Sequence, residues 1–157
     1  MTTTKSTRSD TRRHPLLGLP FTVIVGLALL AAPRAVLHDL GITHGGSALN
    51  QLLAVVPLLV WVAAVAWARV RNPFLTVVII GACYGVLLAA IHQLLWQHAF
   101  AGAPPALGGN FSQLDIGIRQ LVVRIAAVFS SLFTGVAVGA IVGLLTWAVS
   151  KVVQRQA

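Results

Sequence analysis

Acidic side chains are scarce in this chain: three Asp and Glu stand against eleven Lys and Arg in 157 residues. The three are Asp10, Asp39 and Asp115, and none is expected within an apolar span. A transporter that relays protons through a mid-membrane carboxylate is therefore disfavoured. Paired carboxylates for general acid–base catalysis at depth are missing too. Cysteine is limited to Cys83, which rules out an intrachain disulfide, a Cys-x-x-Cys redox pair and a multi-cysteine metal site. In the middle of an apolar run it reads as a small core residue. Charge of either sign is short as well, at 9% of the chain, against about 25% in an average soluble domain. A soluble fold of this length would leave too much of its apolar surface in water. The excess of cations, +8 formally, forms no dense stripe interleaved with aromatics, so nucleic acid is not an expected partner.

What is present is hydrophobic: 57% of the residues, gathered in four stretches. Each is near the ~20 residues that a helix needs to cross a ~30 Å hydrocarbon core. A basic tail over 1–14 shows no apolar period and is expected to be disordered and cytoplasmic. Spans are then expected at about 16–37, 49–68, 73–98 and 125–149. Pro15 suits a helix start, and Pro33 should kink or loosen the far end of the first span. The basic head and apolar body of that span resemble a signal peptide. A cut after Ala32 would leave Pro33 just beyond it, which is unfavourable, so the stretch is expected to remain as a span. Pro57 lies inside the second span, which membrane helices tolerate. Asn72 and Pro73 give the third a cap and a first-turn proline, and the tight link over 69–72 makes spans two and three an antiparallel hairpin. A turn-rich connection over 102–110 follows. Ser112 with Asp115 resembles a capping box. Residues 112–124 read as a short interfacial helix with Leu114, Ile118 and Leu121 on one side, bending near Gly117 into the last span. The expected fold is thus an all-α integral membrane protein. It forms an up-down four-helix transmembrane bundle over 15–157, with that short interfacial helix before the last span.

Orientation follows from the cations. Lys5, Arg8, Arg12, Arg13, Arg69, Arg71, Lys151 and Arg155 fall on one side, and Arg34, Arg119 and Arg124 on the other. The richer side is expected to be cytoplasmic, which puts both termini there. Trp67 and Trp147 then suit the inner interface and Trp96 the outer one. The localisation expected is the plasma membrane, multi-pass, in a bacterium.

Small residues mark the helix contacts. The last span carries Ala127, Ser131, Gly135, Gly139 and Gly143, each four residues from the one before, hence on one face. The third span echoes them with Gly81, Gly85 and Ala89. Lipid gives helices no hydrophobic reason to associate, so close backbone approach must supply the contact. The two faces are expected to meet within one chain; the alternative is that the last span pairs with its copy in a homodimer.

Four of the five histidines and two of the three acids gather at the outer end. Arg34, His38, Asp39 and His44 lie at the end of span one. His92, Gln93 and His98 lie at the end of span three, and Asp115, Arg119 and Arg124 at the start of span four. One reading is ordinary helix-end chemistry, with Arg34 and His38, and Asp115 and Arg119, each one turn apart. Another is a pocket for a lipid headgroup or quinone formed by Arg34, His38, Asp39, His92, Gln93, Arg119 and Arg124, since a charge as deep as Arg124 usually faces a bundle interior. A third is a transition-metal or haem site drawn from His38, His44, His92 and His98, because imidazoles on facing helices can hold haem. Against it, His38 and His44, like His92 and His98, are six residues apart, which sets each pair about 120° apart around a helix. Ser130 and Ser131 beside His92 would need a third group to orient the histidine before they suggested a hydrolase, and none is visible in the sequence.

No catalytic residue is assigned. The leading expectation is a small non-enzymatic accessory or assembly subunit without a cofactor. It would act by helix packing in the lipid bilayer, within a larger membrane complex or a homo-oligomer. The alternative is an outer-leaflet ligand, metal or haem binder, and a channel or transporter formed by an oligomer ranks below both.

Overall fold

A computed structural model describes residues 16–100 and 105–155. The tail over 1–14, Pro15 with its expected helix start, and positions 102–104 of the turn-rich connection lie outside them. Every regular element among the described residues is helical. Four helices are long and apolar enough to cross a membrane: Phe21–Asp39, Ala48–Trp67, Pro73–Leu94 and Ile116–Val153.

The first is made of two pieces, α1 (Phe21–Leu30) and α2 (Ala32–Asp39), which meet at Ala31. Pro33 has no N–H, and its ring crowds the preceding turn. The ladder shortens there, and Ala31 N–H turns to Ala28 O at 3.2 Å. Leu27 O is thereby released and accepts the indole N–H of the fully buried Trp61 at 2.7 Å. An unpaired carbonyl in hydrocarbon is expensive, so a proline in the first span fixes a tryptophan of α3 (Ala48–Trp67).

The turn before α1 closes one end of the molecule. Gly18, at φ +69°, lies against Val70, where an added Cβ would come within 2.9 Å of the valine Cβ. Thr76 Oγ1 reaches Leu17 O at 2.9 Å across the same junction. Asn72 caps α4 (Pro73–Leu94) by accepting Leu75 N–H at 3.3 Å. The third span ends sooner than the sequence suggested: α4 stops at Leu94, and a short α5 (Trp96–Phe100) follows.

The last span is longer than expected. α6 runs from Ile116 to Arg155, 40 residues without interruption, or ~60 Å at the ~1.5 Å rise of a helix. Positions 116–124 are therefore the first turns of this helix, with no break at Gly117 and no separate interfacial segment. The capping box does not form either. Ser112 Oγ donates to Gly109 O at 2.8 Å, while the Asp115 carboxylate accepts Gly117 N–H at 2.7 Å. Asp115 thus starts α6. Nothing beyond it stops the helix, since a single internal glycine costs only about 1 kcal/mol.

α4 is the central helix. It contacts α1, α2, α3 and α6, most extensively α6, and α6 packs on α3 as well. Val77, Ile80, Tyr84 and Leu88 of α4 join Ile24, Ala28, Trp61 and Val142 in the buried core, and Cys83 is half-buried against it. The α4–α6 contact brings backbone to backbone. A Cβ on Gly81 would lie 2.4 Å from Gly135 O and 2.6 Å from Gly139 Cα. One on Gly85 would lie 3.0 Å from Ser131 O, and one on Gly143 3.0 Å from Phe74 O. Ala89 is buried one turn beyond Gly85. The small-residue face of α6 is therefore occupied by α4 of its own chain.

Candidate functional site

Past Gly85 and Ser131 the α4–α6 seam gives way to a cavity of about 450 Å³. Its walls come from four helices: His38 and Asp39 of α2, Leu88 and His92 of α4, Trp96, His98 and Phe100 of α5, and Ser130, Ser131 and Thr134 of α6. The lining is mainly apolar with a few polar groups, the usual make-up of a small-molecule site.

Asp39 is the centre of the polar wall. It is the last residue of α2, and the sequence fixes it there through Gly41. At φ +70°, Gly41 takes the left-handed position that ends a helix cheaply. Gly41 N–H bonds His38 O at 2.9 Å, and Ile42 N–H bonds Leu37 O at 2.9 Å. These are the two bonds of a Schellman motif. The stop turns Asp39 inward, to 6% exposure. Ser47 then starts α3 by accepting Asn50 N–H at 3.2 Å, and Asn50 Nδ2 ties back to Gly45 O at 3.2 Å.

The carboxylate meets two imidazoles. Asp39 Oδ2 is 2.5 Å from His92 Nδ1, and Oδ1 is 3.4 Å from His38 Nδ1. His92 thus donates Nδ1–H across 53 residues of sequence to a buried acceptor. A carboxylate at Nδ1 fixes the tautomer and the ring orientation. Nε2 is then the nitrogen left for a ligand, an acceptor in neutral imidazole and a donor in imidazolium. This is the third group that the sequence lacked beside Ser130 and Ser131. No hydrogen bond joins His92 to either serine among the described residues, so the parts of an Asp–His–Ser relay share a cavity without forming one.

Arg124 and Gln93 pair with each other rather than with the histidines. Arg124 Nη1 donates to Gln93 Oε1 at 3.1 Å, and Gln93 Nε2 donates to Arg124 O at 3.2 Å. The guanidinium also lies 4.6 Å from the centroid of Trp96, a cation–π distance. Trp96 is buried, at 1% exposure. Its Nε1 has no hydrogen-bond partner. A buried donor of this kind is normally satisfied, and here it belongs to a side chain that lines the cavity.

The other sequence-derived candidates lie apart. Arg34 and Arg119 are half-buried, each with an Nε that lacks a partner, and neither lines the cavity. Asp115 is engaged at the start of α6. His44 is exposed in the α2–α3 connection, while His98 is exposed on α5 at the cavity edge. Among the described residues no three His, Cys, Asp or Glu side chains are grouped to hold a metal ion. Trp96, Thr134 and Leu88 were not among the site candidates, because nothing local distinguishes a cavity wall from a helix core.

Comparison with protein-family models, with curated proteins and with solved structures finds no match for this chain. Its functional reading therefore rests on the geometry above.

Proposed function

We propose that this protein binds a membrane-phase small molecule in the cavity beside the Asp39–His92 pair. Its polar head carries a hydroxyl or carbonyl oxygen, as in a quinone or a lipid headgroup. The observation that carries the reading is a buried carboxylate orienting a half-exposed imidazole, with the unpartnered indole N–H of Trp96 in the same wall. Both nitrogens are suited to a single oxygen-bearing head, while Leu88 and Phe100 suit an apolar body. In this proposal the four spans form an up-down bundle in a bacterial plasma membrane with both termini cytoplasmic. The cavity then opens at the non-cytoplasmic end, as the cation asymmetry favours.

The role of an accessory or assembly subunit is compatible with ligand binding. Its partner contacts would have to use faces other than the glycine ridge, which α4 already covers. Phe129 and Phe133 of α6, 69% and 76% exposed and one turn apart, offer such a face. A haem or transition-metal site would draw on His92 Nε2 and His38, and a visible spectrum with elemental analysis separates that alternative.

The test is to extract small molecules from protein purified out of native membranes and identify them by mass spectrometry, alongside a Ser130→Trp variant that fills the cavity. A compound near one equivalent in the parent chain and depleted in the variant is expected. Equal extracts from the two would contradict the proposal.

A further inference from the structure

The opposite end of the molecule carries a second recess, of about 140 Å³, lined by Arg71, Asn72, Pro73, Trp147, Ser150 and Lys151. It lies between the first turn of α4 and the end of α6. Three observations give it one chemical character. Arg71 and Lys151 bring two cations to it, and no ion pair engages either among the described residues. The only acids in the described part of the chain, Asp39 and Asp115, are on the other end. Ser150 is 4% exposed, and its Oγ has no hydrogen-bond partner. A buried hydroxyl with nothing to bond is unusual, and this one belongs to the recess wall.

The start of α4 adds to this. Asn72 Oδ1 satisfies Leu75 N–H, Asn72 O accepts Thr76 N–H, and Pro73 has no N–H. Phe74 N–H is left at a helix end whose dipole favours an anion. Trp147, 49% exposed with Lys151 Nζ 5.8 Å from its ring centroid, has the amphipathic placement of a residue at the membrane–water boundary.

We propose that this recess binds a phosphate group, presented by the headgroup of an anionic phospholipid in the adjoining leaflet. Arg71 and Lys151 neutralise the charge, and Ser150 Oγ–H donates to a phosphate oxygen. Charge-assisted bonds to an anion are the strong ones. General attraction of cations to an anionic leaflet would need no buried hydroxyl, and Ser150 is what distinguishes a site from that background. The proposal does not depend on which side of the membrane this end faces.

The experiment is native mass spectrometry of the full chain, in mixed micelles holding equal phosphatidylglycerol and phosphatidylcholine. A parallel titration with inorganic phosphate follows Trp147 in a chain whose other tryptophans, Trp61, Trp67 and Trp96, are replaced by Phe. One retained phosphatidylglycerol is expected. Ser150→Ala, which alters no charge, should lower its retention about tenfold, the loss of one hydrogen bond to a charged group. Arg71→Gln should do the same, while Arg69→Gln, outside the recess, should have little effect. Retention of phosphatidylglycerol assigns the lipid headgroup. A Trp147 response to inorganic phosphate that Ser150→Ala abolishes, without lipid selectivity, assigns free phosphate at the same site. If Ser150→Ala matches the parent in both assays, or Arg69→Gln is as damaging as Arg71→Gln, only diffuse charge is at work and the proposal fails.

Discussion

Two stretches of one helix pair behave in opposite ways. Around Gly81 and Gly135, α4 and α6 touch backbone to backbone and leave no room for a methyl group. A few turns further along, the same helices face each other across a cavity that holds His92 and Ser131. The change is written mainly on α4. Glycine at Gly81 and Gly85 gives way to Leu88 and His92, side chains too large for a backbone contact, while α6 keeps small residues at Ala127 and Ser131. In lipid, small residues are what allow helices to hold together, and where one partner abandons them, space for another molecule opens. The tight stretch brings the two backbones into contact, and the open stretch leaves the cavity lined by polar side chains.

The comparison can be tested by substitution. The largest effect should come from Gly81→Ala, which forces a methyl group into the backbone of α6 and should destabilise the protein by about 3 kcal/mol through overpacking. Reversible unfolding in mixed micelles, followed by circular dichroism, measures it. Gly26→Ala, where an added Cβ meets nothing within 4 Å, serves as the matched control and should stay within about 0.5 kcal/mol of the parent. Asp39→Ala in the open stretch should cost less, about 2 kcal/mol, by leaving the half-buried Nδ1–H of His92 without its acceptor. The same unfolding assay should find Trp61→Phe at about 1–2 kcal/mol, from the lost hydrogen bond to the carbonyl that Pro33 releases and the space left by the smaller ring. Smallest of all, Arg124→Met should cost about 1 kcal/mol as the guanidinium leaves the Trp96 ring and the Gln93 amide oxygen. If Asp39→Ala proved more damaging than Gly81→Ala, the assignment of stability to the seam would be reversed.

What could be read from the sequence is what repeats or acts locally. Four apolar lengths, the spacing of Gly135, Gly139 and Gly143, the cap at Asn72 and the disruption at Pro33 are all signals carried within a turn or two of chain. The extent of α6 was harder, because Ser112 and Asp115 read together as a capping box, and only the three-dimensional bonds show that Ser112 turns to Gly109 while Asp115 starts the helix. The site was the least legible. Asp39 and His92 are 53 residues apart, and no local pattern records that the stop at Gly41 turns Asp39 inward. Arg124 illustrates the same limit. Its partners, Gln93 and Trp96, follow from the antiparallel register of α4 and α6.

Nitrogen NMR of imidazole-labelled protein, with the other histidines replaced so that His92 alone reports, tests the central claim most directly. The protein should show a protonated Nδ1 held by Asp39, and addition of a short-chain quinol should shift Nε2 in a saturable way that Ser130→Trp abolishes. An unprotonated Nδ1, or an Nε2 resonance unmoved at saturating quinol and phospholipid alike, would contradict it.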